Sequence, residues 1–216
     1  MRNEVIEAIG REKLITIVRG VAREDLIPLA EAMYKGGVRL LEITFSQDGK
    51  IADEEIADRI AMLASAMKGK MFIGAGTVTK PSQVELVKKA GGLFIISPDT
   101  FEDVIRKTRE LELVSIPGAL TPSEAMCAHR AGADFVKLFP TVGLGADYVK
   151  ALCAPLSGIK FLAVGGVDQT NVKAFLKAGA VGFGIGTGIV KNDLIKAGKF
   201  EELTELARAY VAAVSN

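Results

Sequence analysis

The chain has 216 residues, is 49% hydrophobic and 25% charged, and carries a formal net charge of +1. That length suits one domain with a large buried core, and a near-neutral chain without a basic stripe argues against nucleic acid or a charged membrane surface as the main partner. No apolar run approaches the roughly 20 residues that span a bilayer, and a single histidine excludes any site needing two or three imidazoles.

The N-terminal stretch Arg2–Lys13 is charged and amphipathic, so it reads as a helix rather than a signal peptide. Eight β-rich runs follow: Ile15–Arg19, Arg39–Thr44, Met71–Ala75, Leu93–Ser97, Leu113–Ile116, Phe135–Phe139, Lys160–Val164 and Val181–Gly186. Each leads through a polar or glycine-rich turn into a helical pattern, the signature of a parallel sheet wrapped by helices. Ala22–Lys35 has apolar residues at helical spacing and stops at Gly36-Gly37. Thr79-Lys80-Pro81-Ser82 and Thr121-Pro122-Ser123-Glu124 open two further helices, each with proline near the first turn. Cys127 and Cys153 fall in helical segments without metal-ligand spacing, as expected of reduced thiols in a cytoplasmic protein. Phe200–Val214 reads as a closing amphipathic helix. Eight strand–helix repeats predict an α/β fold: a single (β/α)8 barrel over residues 1–216, its N-terminal helix covering the bottom. An open doubly wound sheet is the alternative, because loops alone do not prove closure.

Active sites of such barrels lie at the carboxyl ends of the strands. The informative residues are therefore polar ones that interrupt apolar strands. Lys137 stands in Phe135-Val136-Lys137-Leu138-Phe139. It is either an outward lysine whose stem lies along a helix or a buried one with a depressed pKa, nucleophilic towards carbonyls. Bringing a lysine near pH 7–8 takes roughly 4 kcal/mol of differential destabilisation of its ammonium form. Glu42, in Leu40-Leu41-Glu42-Ile43-Thr44, is a second buried-looking charge. It reads either as a general acid–base or as one half of a salt bridge with Lys137 or Arg19. Its charge would raise the lysine pKa while burial lowers it, and the pattern leaves the winner open. Arg19 ends the first strand and suits a substrate carboxylate or the barrel rim equally. In Gly74-Ala75-Gly76-Thr77-Val78, Gly76 lets a ligand approach the backbone and Thr77 offers a hydroxyl. Gly165-Gly166 after the seventh strand and Gly184-Ile185-Gly186-Thr187-Gly188 after the eighth are a pair of loops that often forms a phosphate site.

Together with Ile96-Ser97-Pro98, Pro117-Gly118 and Lys137-Leu138-Phe139-Pro140, these phrases closely resemble the 2-keto-3-deoxy-6-phosphogluconate / 4-hydroxy-2-oxoglutarate aldolases, in order from Arg19 to Thr187. The resemblance implies a Schiff-base lyase on a (β/α)8 barrel, a homotrimer that needs no metal or cofactor. It implies that Lys137 forms the imine and Glu42 shuttles protons. It assigns the pyruvate carboxylate to Gly76 and Thr77 with Arg19 nearby, and the pocket lining to Pro98 and Phe139. A distal phosphate would fall to Gly165, Gly166, Gly186 and Thr187. The implied substrate is a 4-hydroxy-2-keto acid, foremost 2-keto-3-deoxy-6-phosphogluconate, with its galactonate epimer and 4-hydroxy-2-oxoglutarate beside it. Three positions depart from the family pattern: Ser46 replaces a common arginine, Val164 a common threonine, and the loop after strand eight keeps Thr187 but lacks a common serine. The stretch Phe45–Glu54 is also unusually charged. Two rival readings fit the same residues: a phosphate-binding barrel isomerase or epimerase using Glu42 and Lys137 without covalent catalysis, and a non-catalytic sugar-acid binding protein.

Overall fold

Burial on alternate faces of short parallel strands organises the computed structural model, which describes residues 1–215. The strands are β1 (Leu14–Val18), β2 (Leu40–Thr44), β3 (Phe72–Gly76), β4 (Phe94–Ile96), β5 (Val114–Ile116), β6 (Gly118–Ala119), β7 (Val136–Leu138), β8 (Phe161–Val164) and β9 (Gly182–Ile185). They form one parallel sheet in the order β5-β4-β3-β2-β1-β9-β8-β7-β6. All eight expected runs are present, with ends moved by no more than one residue. The ninth strand is the continuation of the fifth past Pro117. Proline has no N–H to give the ladder, so β5 pairs with β4, and β6, beyond it, pairs with β7. The two halves of this interrupted strand complete the ring, which decides for a barrel over an open sheet. Gly118 permits the seam, since a Cβ there would lie 2.4 Å from the Pro98 carbonyl oxygen.

The helices are α1 (Arg2–Glu12), α2 (Leu26–Lys35), α3 (Asp53–Ala66), α4 (Pro81–Lys89), α5 (Glu102–Glu110), α6 (Pro122–Ala131), α7 (Gly145–Cys153), α8 (Val172–Lys177), α9 (Asn192–Lys196) and α10 (Phe200–Ser215). The helix expected from Ala22 begins as a 3-10 turn, Arg23–Asp25, before α2. Pro28 falls in the first turn of α2, where its missing N–H costs no intrahelical bond. Thr121 and Glu124 form a reciprocal capping box at the start of α6, with Thr121 N–H donating to Glu124 Oε2 at 2.7 Å. Among the described residues, no helix is long and apolar enough to cross a membrane.

Two apolar layers follow from the strand alternation. Outward residues such as Leu14, Val18, Val136 and Leu138 join the helices in one core. Inward residues Ile15, Leu40, Phe94, Val114, Phe135 and Leu162 fill the lower barrel with Val5 and Ile9 of α1. Gly74 makes room for this packing, because a Cβ would meet the Phe94 ring at 2.4 Å. The floor is therefore solid, and polar side chains enter only at the upper layer.

Asp134 anchors that floor. Its side chain, 11% exposed, accepts from Arg2 of α1, from Arg109 Nη1 of α5 at 3.2 Å, and from the Ser115 N–H of β5 at 3.0 Å. Removing the carboxylate strands a backbone N–H and two guanidinium groups. Asp134→Ala is expected to lower unfolding stability by roughly 1–3 kcal/mol. A urea midpoint equal to the parent's would contradict this.

Candidate active site

Lys137 lies at the centre of β7, above Phe135 on the same face. Alternation sends Val136 and Leu138 outward, so Lys137 points into the barrel. It sits among Ile17, Ile96, Ile116, Leu162 and Val164 and is 7% exposed. Burial lowers its pKa; the charge of Glu42 opposes this, and that of Arg19 adds to it. The Nζ stands 4.4 Å from the centre of the Phe139 ring, close enough for a favourable cation–π contact.

Glu42 rises from β2 between Ile17 of β1 and Gly74 of β3. It is 2% exposed. Rather than close a salt bridge with Lys137 or Arg19, it leaves its buried Oε2 without a hydrogen-bond partner. Desolvation raises its pKa to about 7, against the lowering influence of Lys137 and then Arg19. Burial thus outweighs mutual attraction for both groups. Gly76 makes the carboxylate's position possible, since a Cβ there would fall 2.3 Å from Glu42 Oε1. The strand-three glycines serve different purposes: Gly74 admits a ring, Gly76 a carboxylate.

Thr77 follows directly, with φ of 57°. A β-branched residue rarely adopts this left-handed geometry, so the turn must be held by its surroundings. Arg19 Nη2 donates to Thr77 Oγ1 at 3.0 Å. From the other side, Gln47 Nε2 donates to the Thr77 carbonyl at 3.0 Å. Arg19, Gly76 and Thr77 are thereby brought together beside Glu42. Gln47 escapes sequence reasoning because an amide in a polar loop has no periodicity, and its partner lies thirty positions away.

The last two strands bring the glycine loops side by side, with Val164 paired to Gly184. Gly165 and Gly166 have φ of 88° and 79°, which favour glycine. A Cβ on Gly166 would lie 2.9 Å from Val142 Cα. Thr141 Oγ1 donates to the Gly165 carbonyl, and Asn171 Nδ2 donates to that of Gly166 at 2.8 Å. The Gly186 carbonyl accepts from the Ile189 and Val190 N–H groups at 3.0 and 2.9 Å. The N–H groups of Gly166, Gly186 and Thr187 have no backbone acceptor among the described residues. Thr141 and Asn171, which aim the first loop, were not legible as site residues. Pro98 follows β4, and Phe139 packs 3.5 Å from where a Gly165 Cβ would be. All the expected residues therefore gather at one end of the ring, with Lys137 and Glu42 buried on one side and the glycine loops on the other.

Comparison with known proteins adds an independent line. The family model described as KDPG and KHG aldolase matches residues 5–206. The 2-dehydro-3-deoxy-6-phosphogalactonate aldolase of Escherichia coli is 35% identical over 202 residues, 93% of each chain. The KHG/KDPG aldolase of the same organism is 33% identical over 189 residues, 87% of this chain and 85% of that one. The crystal structure of Legionella pneumophila KDPG aldolase, with pyruvate captured as a covalent carbinolamine intermediate, superposes with a TM-score of 0.84 at 28% identity, covering 95% of this chain and 97% of that one. The chain is an aldolase, a carbon–carbon lyase, and belongs to the KDPG and KHG aldolase family.

Proposed function

We propose that this enzyme cleaves a 4-hydroxy-2-keto acid to pyruvate and an aldehyde, with Lys137 as the imine-forming nucleophile and Glu42 as the proton shuttle. The observation that carries the reading is the burial of both groups without an ion pair between them. Burial makes a neutral Lys137 amine accessible, and that amine adds to the C2 carbonyl to give a carbinolamine. Uptake of one proton and loss of water leave a protonated imine. Glu42, its pKa near 7, takes the C4 hydroxyl proton directly or through one water. The C3–C4 bond then breaks and its electron pair passes into the imine as an enamine. The aldehyde departs, the enamine takes a proton at C3, and hydrolysis frees pyruvate and Lys137. A carboxyl poised near neutrality can both accept and return that proton. The pyruvyl carboxylate is assigned to the Thr77 turn, where Arg19 adds positive charge.

The substrate proposed is phosphorylated. The free N–H groups of Gly166, Gly186 and Thr187 support this, as does the phosphogalactonate aldolase named among the relatives. Val164 lines the chamber where the common threonine would offer a hydroxyl.

Borohydride reduction in the presence of pyruvate is expected to place a reduced pyruvyl adduct on Lys137. A mass spectrum of the treated enzyme without that adduct would sink the imine reading, and retained cleavage in Lys137→Ala would move the nucleophile elsewhere.

Glu42 acts as a base only when ionised, so kcat/KM is expected to fall as pH drops below about 7. Glu42→Gln should lose this limb and roughly 10²–10⁴ in kcat. The stability sign runs the other way. The favourable neutral carboxyl contributes fully below pH 4.5 and is lost as pH rises through about 7, a slope Glu42→Gln removes. An unaltered pH–rate profile in the variant would exclude Glu42 as the base.

Phosphorylated 2-keto-3-deoxy acids are expected to exceed their unphosphorylated counterparts in kcat/KM by roughly tenfold or more, for one charge-assisted anion site. Equal specificity constants for the phosphorylated and unphosphorylated acids, compared over both C4 epimers and 4-hydroxy-2-oxoglutarate, would remove the phosphate site.

A further inference from the structure

The stretch between Phe45 and α3 departs from the family pattern, and its side chains are organised rather than merely solvated. Ser46 Oγ donates to Asp48 Oδ1, the Lys50 N–H donates to the same oxygen at 3.2 Å, and Lys50 Nζ pairs with Asp48 Oδ2 at 2.7 Å. Asp48 therefore gathers its own loop and leaves Gln47 facing the neighbouring strand end. There the two ends of the amide are used separately. Nε2 donates to the Thr77 carbonyl at 3.0 Å, and Oε1 accepts from Thr79 Oγ1 at 3.3 Å. A second bridge runs just behind it: buried Gln83 accepts from the Thr79 N–H at 2.9 Å and donates to Asp53, at the start of α3, at 3.1 Å. The loops after β2 and β3 are thus linked at both levels.

Thr77 is the residue most in need of such support, because its φ of 57° is unfavourable for a β-branched side chain. Arg19 holds its hydroxyl and Gln47 its carbonyl. Fixing both fixes the direction of its N–H, which has no backbone acceptor among the described residues. Position 46, where the family commonly has an arginine, is here a serine turned towards Asp48.

We infer that Gln47 is a positioning residue for carboxylate recognition, locking the Thr77 turn so that its N–H and hydroxyl meet the 2-keto acid in a chain without the neighbouring arginine. This rests on the assignment of the pyruvyl carboxylate to Thr77. Gln47 acts through Thr77 on binding and takes no part in proton transfer, so its effect falls on KM rather than kcat.

The test compares Gln47→Ala and Gln47→Glu with the parent enzyme. Glutamate keeps the length and can still accept from Thr79, yet has no donor for the Thr77 carbonyl. Both variants are expected to raise KM for the keto acid by about three- to tenfold, the loss of one net hydrogen bond, with kcat within about twofold. The pyruvate concentration giving half-maximal borohydride trapping on Lys137 should rise by the same factor, while trapping at saturation stays complete. A merely structural role would instead lower the thermal midpoint and kcat together and leave KM in place. An unshifted KM in Gln47→Ala, or parent-like KM in Gln47→Glu, overturns the role of Gln47 alone. Failure to trap pyruvate on Lys137 in the parent overturns the imine reading and this inference with it.

Discussion

Everything at the upper end of this barrel depends on keeping two opposite charges out of water without letting them neutralise each other. A lysine and a carboxylate in a low-dielectric chamber ordinarily form a tight ion pair, and such a pair would be inert in both directions. The ammonium would not add to a carbonyl, and the carboxylate would not take a proton at neutral pH. Here desolvation acts on each group more strongly than their attraction does. The apolar ring of Ile17, Ile96, Ile116, Leu162 and Val164 surrounds Lys137 and keeps water from it. Gly76 sets the carboxylate's seat by leaving space that any side chain would take.

The lower barrel explains why the upper layer can bear this strain. The inward aliphatic and aromatic side chains, sealed by Val5 and Ile9, form a rigid base of close-packed groups. Asp134 ties that base to α1, α5 and β5 at once. Lys137 and Glu42 stand one layer above it on short strands whose backbone positions the ladder dictates. Chemistry that requires hydrogen-bond reach is better served by strands of this kind than by loops.

Apolar β-rich runs made the strands legible, because a parallel strand covered on both faces carries apolar residues on each. That same pattern exposed Lys137 and Glu42, each a charge where only apolar groups belong. It could not reveal the seam at Pro117. There a proline and a glycine read as an ordinary turn, while the ring uses them to pass one strand from β4 to β7. Nor could it weigh burial against attraction in the Lys137–Glu42 pair, since the two effects have opposite sign and both depend on three-dimensional surroundings. Gln47, Thr141 and Asn171 were hidden for another reason. Each works through a side-chain bond to a backbone carbonyl, and backbone carbonyls carry no sequence identity.

The solid floor has a consequence for traffic. A pocket closed below has a single mouth, so in the proposed mechanism the carbons bonded nearest Lys137 are the first to enter and the last to leave. The aldehyde, released on the open side, departs while the three-carbon fragment is still tethered beneath it. In synthesis the order reverses, and the tethered fragment waits at the bottom for whichever aldehyde comes through the mouth. In the proposed mechanism, choice between aldehydes is then exercised on the open side, by the two glycine loops, and not in the apolar ring around the lysine.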